Sequence, residues 1–97
     1  MSFRVRSAIK EDCAQALKLI KELAVFEKAE HEVSLSLEEF IKDGFGESPS
    51  FFMYVAESDV NIVGIALCYE KYSTWKGKCI YLEDLSVTQS ERGKGIG

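Results

Sequence analysis

The stretch that most constrains the fold is Ile80 to Gly97. It opens Ile80-Tyr81-Leu82-Glu83-Asp84-Leu85-Ser86-Val87 and closes, after Thr88-Gln89-Ser90-Glu91, on Arg92-Gly93-Lys94-Gly95-Ile96-Gly97. The first part is apolar and β-branched enough for a strand, predicted over Cys79 to Val87. The last part is a glycine loop carrying two cations. Converging backbone N–H groups, unobstructed by Cβ atoms, are how several folds hold a pyrophosphate after a strand. Glu83 and Asp84 interrupt the strand, and carboxylates inside a sheet are costly without a partner or a task. Strict alternation puts Tyr81, Glu83, Leu85 and Val87 on one face and Ile80, Leu82, Asp84 and Ser86 on the other. Either one of the two acids is structural, or a bulge re-aims a side chain.

The glycine spacing is GxGxG. It lacks the GxGxxG of a dinucleotide fingerprint and the GxxxxGK of a Walker loop. Taken alone it is a turn as readily as a ligand site, and its place after an acidic strand, with Arg92 and Lys94 interleaved, favours an anion.

Ninety-seven residues allow one domain with a modest core. A net charge of −4 argues against broad nucleic-acid binding and welcomes a cationic small molecule. Three cysteines, Cys13, Cys68 and Cys79, without CxxC spacing suit a reducing compartment better than a disulfide framework or a zinc site. Cys68 and Cys79 are expected as buried packing residues rather than nucleophiles. The lone His31 is expected on the surface, and no metal site is expected. No apolar run approaches twenty residues, so the expectation is a soluble, cytoplasmic chain with no membrane partner.

Phe3 to Ser7 alternates as a short strand. Glu11 to Phe26 has helical period, with Cys13, Ala16, Leu17, Ile20, Leu23 and Ala24 on one face and Glu11 and Asp12 in the first turn. Glu27 at its end opposes the helix dipole and is either a solvated charge or a site residue. Ser36-Leu37-Glu38-Glu39 is a capping box flanked by Leu35 and Phe40 as a hydrophobic staple. The second helix is predicted from Leu37 to about Asp43, with Gly44 as its stop. Phe51 to Glu57 is predicted as a strand buried on both faces. A turn follows at Ser58 to Asn61, then an arm from Ile62 to Tyr72 in which Gly64 marks close packing or a bulge. Tyr72 to Gly77 turns the chain again. The order β-α-α-β-β-β predicts an α+β fold ending in an antiparallel meander.

Arg92 to Gly97 resembles the [Arg/Gln]-x-x-Gly-x-[Gly/Ala] loop of the GNAT acetyltransferase superfamily. Ile20 to Ala24 with Phe26-Glu27, Asp43 to Gly46, Tyr72 to Gly77, and Tyr81 to Asp84 resemble the diamine (spermidine/spermine) acetyltransferases, most closely the second, thialysine-acetylating type. The resemblance covers essentially the whole chain. It implies a partial N-acetyltransferase domain over 1–97, the N-terminal half of a GNAT fold with a mixed, mostly antiparallel sheet. It implies acetyl-CoA as co-substrate and a polyamine or thialysine as acceptor. The backbone of Leu85, Ser86 and Val87 would bond the pantetheine arm, and Gly93, Lys94, Gly95, Ile96 and Gly97, with Arg92 beside them, would hold the pyrophosphate. Phe26, Glu27 and Glu83 would line the amine site, with Asp84 and Trp75 near it and Glu83 as the base. The family implies a homodimer with its amine channel at the subunit boundary.

The family continues where this sequence stops. The helix that completes the phosphate site, the next parallel strand and a tyrosine proposed as general acid would lie beyond Gly97. The strand Cys79 to Val87 is therefore expected to expose an unpaired edge, and the isolated chain to be catalytically inactive or very weak and prone to associate. The alternatives are a truncated, non-catalytic piece acting only in CoA binding or dimerisation, and a small α/β binding domain without cofactor.

Overall fold

The computed structural model describes residues 3–28, 30–59 and 61–88. Its elements run β1 (Arg4–Ser7), α1 (Cys13–Phe26), α2 (Leu37–Phe45), β2 (Phe52–Ser58), β3 (Asn61–Ser73) and β4 (Gly77–Val87). The strands form one sheet in the order β1-β2-β3-β4, antiparallel at every pairing among the described residues. Both helices cover one face. The predicted order is the observed one, and among the described residues β4 is an outer strand of the sheet.

α1 starts later than its pattern suggests, because Asp12 is engaged elsewhere. Its carboxylate accepts from Arg6 Nη1 at 2.8 Å and Nη2 at 3.0 Å, and from the Ile9 N–H at 2.8 Å. That pull closes a tight 3-10 turn over Lys10–Asp12 ahead of the helix. The guanidinium beside Asp12 holds its carboxyl below the usual range, outweighing the cost of burial. At the other end the Glu27 N–H donates to the Leu23 carbonyl, and Lys28 enters the left-handed region at φ 59 and stops the helix.

α2 opens on the capping box. Ser36 Oγ accepts from the Glu39 N–H at 3.1 Å, and the Glu39 carboxylate accepts from the Ser36 N–H at 3.0 Å. Leu35 packs against the core that holds Phe40, as the staple requires. Gly44 does not end this helix. It lies inside it because the Phe51 ring occupies the space a side chain would need: a Cβ there would come within 2.3 Å of Phe51 Cζ. The helix closes at Phe45, where the Gly46 N–H reaches the Lys42 carbonyl at 3.0 Å.

Opposed residues of an antiparallel pair share a sheet face. Arg6, Val55, Ile65 and Ser86 form one row on the helix-covered face, and Met53, Leu67 and Asp84 form the next. Met53, Val55, Ile65 and Leu67 join Cys13, Ala16, Leu17, Leu19 and Phe40 in the core. Each such apolar side chain contributes about 1.5–3 kcal/mol on burial. The opposite face carries Val5, Ala56, Gly64 and Val87 in one row, Ser7, Tyr54, Ala66 and Leu85 in the next, then Phe52, Cys68 and Leu82. No element covers it among the described residues. The expectation that β2 is buried on both faces is therefore corrected: Met53 and Val55 are buried, while Phe52 and Tyr54 are exposed. Beside Gly64 the ladder shifts, with Ala56 opposite Gly64 and Glu57 opposite Ile62, so Val63 is the extra residue of a bulge. The β3–β4 turn closes on Gly77 at φ 82, with Ser73 Oγ accepting from the N–H groups of Trp75 and Lys76.

Candidate active site

A second bulge answers the parity question on β4. Leu67 pairs with Asp84 and Cys68 pairs with Leu82, so Glu83 has no opposite number. The two halves of the strand are thereby thrown out of phase. Ile80 and Leu82 before the bulge share the uncovered face with Leu85 and Val87 after it. Tyr81 before it shares the helix-covered face with Asp84 and Ser86. The strict-alternation grouping of these residues is corrected accordingly, and the bulge alternative holds.

The outcome is chemical. Glu83 and Asp84, which a regular strand would aim apart, line one cleft of about 370 Å³ between β4 and the helical layer. Its apolar wall includes Ile20, Val33, Leu35, Phe40, Phe51 and Leu67, and Glu32 and Asp43 also line it. No Lys or Arg does. Glu83 is exposed and Asp84 half-buried. The Asp84 carboxyl is pushed above the ordinary aspartate value, first by burial, then by the charges of Glu83 and Glu27. Three carboxylates thus share one field. The arrangement can attract a compact cation, cover its alkyl part with apolar wall, and accept a proton from it.

Glu27 closes α1 exposed to solvent, near enough for its charge to act on Asp84, and Phe26 precedes it, also exposed. Leu85, Ser86 and Val87 form the last part of the edge strand, just after the bulge. Leu85 is exposed and Ser86 buried, and an edge strand offers main-chain groups to an extended ligand. Trp75 stands apart. It is 93% exposed at the β3–β4 turn, and the run of strand from Gly77 to Glu83 separates it from the cleft by roughly 20 Å. This chain does not by itself bring Trp75 to the acids. Arg92, Gly93, Lys94, Gly95, Ile96 and Gly97 lie outside the described residues.

The cysteine expectation needs correcting. Cys13 is buried, but Cys68 is half-buried, and Cys79 is exposed with its Sγ donating to the Lys71 carbonyl at 3.4 Å. Cys79 stands in the row with Lys71, toward the β3–β4 turn. His31 is exposed as expected. Sequence reasoning assigned no role to Glu32 or Asp43. Asp43 did carry a signal: it is a carboxylate in the last turn of a helix, where the dipole disfavours it. Glu32 carried none, since a 3-10 turn at Glu30–Glu32 has no apolar period to read.

The model of the acetyltransferase (GNAT) family matches residues 13–97. The chain is 44% identical over 99% of its length to the thialysine N-ε-acetyltransferase of Mus musculus. It is 41% identical over 98% of its length to the human spermidine/spermine N(1)-acetyltransferase-like protein 1. It spans 61% of the first relative and 15% of the second. Among solved structures, a possible acetyltransferase from Clostridium difficile 630 superposes with TM-score 0.73 at 19% identity, over 99% of this chain and 64% of that one. A predicted acetyltransferase with acetyl-CoA from Clostridium acetobutylicum gives TM-score 0.74 at 17% identity, over 98% and 66%. These two likenesses speak for the fold, and the family match with the 44% relative speaks for descent: the chain belongs to the GNAT acetyltransferase family.

Proposed function

We propose that residues 1–97 form part of one N-acetyltransferase domain that moves the acetyl group of acetyl-CoA to a primary amine of a small cationic substrate, a polyamine or thialysine. The observation that carries this reading is the bulge that turns Glu83 and Asp84 into one cleft with an apolar wall. Phe26, Glu27 and Glu83 line the amine site and Asp84 lies beside it, with Trp75 serving it in the assembled homodimer. An alkylamine with a pKa of about 10 arrives protonated. Asp84 and Glu27 hold the cation. Glu83, directly or through a water, takes one proton. The freed nitrogen then attacks the acetyl carbonyl carbon, the carbon–sulfur bond breaks, and the amide forms as the thiol leaves. Acetyl-CoA supplies the activated acyl group. The main chain of Leu85, Ser86 and Val87 holds its pantetheine arm, and Arg92 with the Gly93–Gly97 loop holds its pyrophosphate. The cytoplasm is the compartment this reading places it in. Among the described residues no helix is long and apolar enough to cross a membrane.

The test is thiol release from acetyl-CoA by the parent gene product with spermidine, spermine and thialysine as acceptors. Glu83→Gln should lower kcat by about 10²–10⁴-fold. Wild-type turnover in that variant would sink the assignment. A second reading, a non-catalytic piece that binds CoA or only dimerises, draws on the span of 61% of the thialysine relative. Turnover by the 97-residue chain itself would exclude it.

A further inference from the structure

α1 carries a polar stripe aimed at one end of the sheet. Gln15 and Glu22 stand about two turns apart, so they share a side of the helix. Each accepts a hydrogen bond from the sheet. Gln15 Oε1 takes the Ile62 N–H at 2.9 Å, and Glu22 Oε1 takes the Thr88 hydroxyl at 2.9 Å, both partly buried. The bulge on β3 is what gives the sheet these groups to offer. Val63 is its extra residue, and Ile62 beside it gives its N–H to α1. The Val63 carbonyl accepts from the Thr88 N–H at 2.8 Å, just past the last β3–β4 pair, Gly64 with Val87. Thr88 is therefore tied twice, by its main chain to the bulge and by its side chain to α1. It is tied where β4 ends, directly after Leu85, Ser86 and Val87.

The same helix reaches the acid cleft. α1 ends at Phe26, and Glu27 follows it, near enough for its charge to act on Asp84. Along α1 Glu22 precedes Glu27, and along β4 Asp84 precedes Thr88, so helix and strand run antiparallel here. One rigid element thus spans both the strand end and the acids. We propose that Glu22 is a positioning residue for acetyl-CoA: through the Thr88 hydroxyl it fixes the course of the end of β4, and with it the main-chain groups that meet the cofactor. The inference rests on the reading of Leu85, Ser86 and Val87 as the pantetheine contact. An extended ligand bonds to main chain only where successive N–H and C=O groups keep the spacing and direction of a strand. Strand ends are the first to lose that order. A ligand that meets a frayed end must offset the cost of ordering it, and its affinity falls accordingly. Glu22 takes no part in the proton transfer. Its effect belongs to cofactor binding and not to the chemical step.

The experiment is calorimetric titration of the parent gene product with CoA, alongside steady-state kinetics in which acetyl-CoA and the amine are varied separately. Glu22→Ala and Thr88→Val should each weaken CoA binding and raise the KM for acetyl-CoA by about tenfold, with kcat and the amine KM held at the parent's values. Glu22→Gln, whose amide oxygen still accepts, and Thr88→Ser, which keeps the hydroxyl, should retain the parent's affinity. Combining Glu22→Ala with Thr88→Val should cost no more than either alone, because both remove one hydrogen bond. Additive losses overturn the proposal. So does a rise in both KM values together, or a lowered melting temperature with an unchanged KM for acetyl-CoA, since a merely structural contact would give either. The Thr88→Ser and Thr88→Val pair leaves the helix untouched, so a Glu22 variant that fails to fold does not remove the test. A parent protein that gives no heat with CoA sinks the acetyltransferase reading itself and this inference with it, whereas normal CoA binding in parent and variants alike sinks this inference only.

Discussion

Asp84 and Asp12 are both carboxylates against the helical layer, and their environments push them in opposite directions. Asp84 is raised by burial and by two neighbouring acids. Folding therefore penalises its charged form, and the penalty is present at neutral pH. It is relieved as pH falls through the raised folded value toward the unfolded one. Asp84→Asn should accordingly raise the melting temperature at pH 7 by a few degrees, roughly 4 °C for a chain of this size. The gain should shrink as the pH approaches 4, while any amine binding falls. Melting curves of both proteins between pH 4 and 8 check the sign. A variant that melts lower than the parent at pH 7 would show that Asp84 is held by partners and not merely confined. Stability given up at an acid with a task is the usual trade at a functional site.

Among the elements, α2 shows where packing overrules punctuation. Gly44 reads as a stop because glycine commonly follows a helix, yet it sits within α2 to let Phe51 approach, and Phe51 in turn is stacked on Phe40 at 5.2 Å between centroids. The ring cannot yield without disturbing a fully buried neighbour. Gly44→Ala should therefore destabilise by about 1–3 kcal/mol, although alanine is the better helix former. Urea unfolding monitored by circular dichroism measures it, and a neutral or stabilised variant would refute the packing account. The capping box, the β-α-α-β-β-β order and the bulge beside Gly64 were all legible, because each rests on local chemistry or on period. The exposure of Phe52 and Tyr54 was not, since both look like core until the helices among the described residues are seen to lie on the other face of the sheet. The phase change on β4 was half legible. Its apolar positions run Ile80, Leu82, then Leu85 and Val87, and that step of three in a two-residue period is the mark of an extra residue.

For the molecule as a whole, one cluster ties the sheet's far edge to the helices. Arg6 on β1 holds Asp12 ahead of α1 and Glu57 on β2, the latter at 3.2 Å. Asp12→Ala takes the acceptor from the Ile9 N–H and removes the charged hydrogen bonds from Arg6, at a cost of about 2 kcal/mol. Asp12 is depressed in the folded state, so its contribution is whole at neutral pH and fades only as the pH drops through that lowered value. The gap in melting temperature between parent and variant should thus close in strong acid, and a pH-independent gap would contradict the ion pair. The surplus residue on β4 has a different consequence. Because the ladder leaves Glu83 out, the chain can be shortened there without re-threading the sheet. Excising Glu83 leaves an aspartate opposite Leu67, and excising Asp84 leaves a glutamate in the same seat. Both shortened proteins should fold with matching spectra, so the roles of the two acids can be separated by chain length instead of by side-chain chemistry.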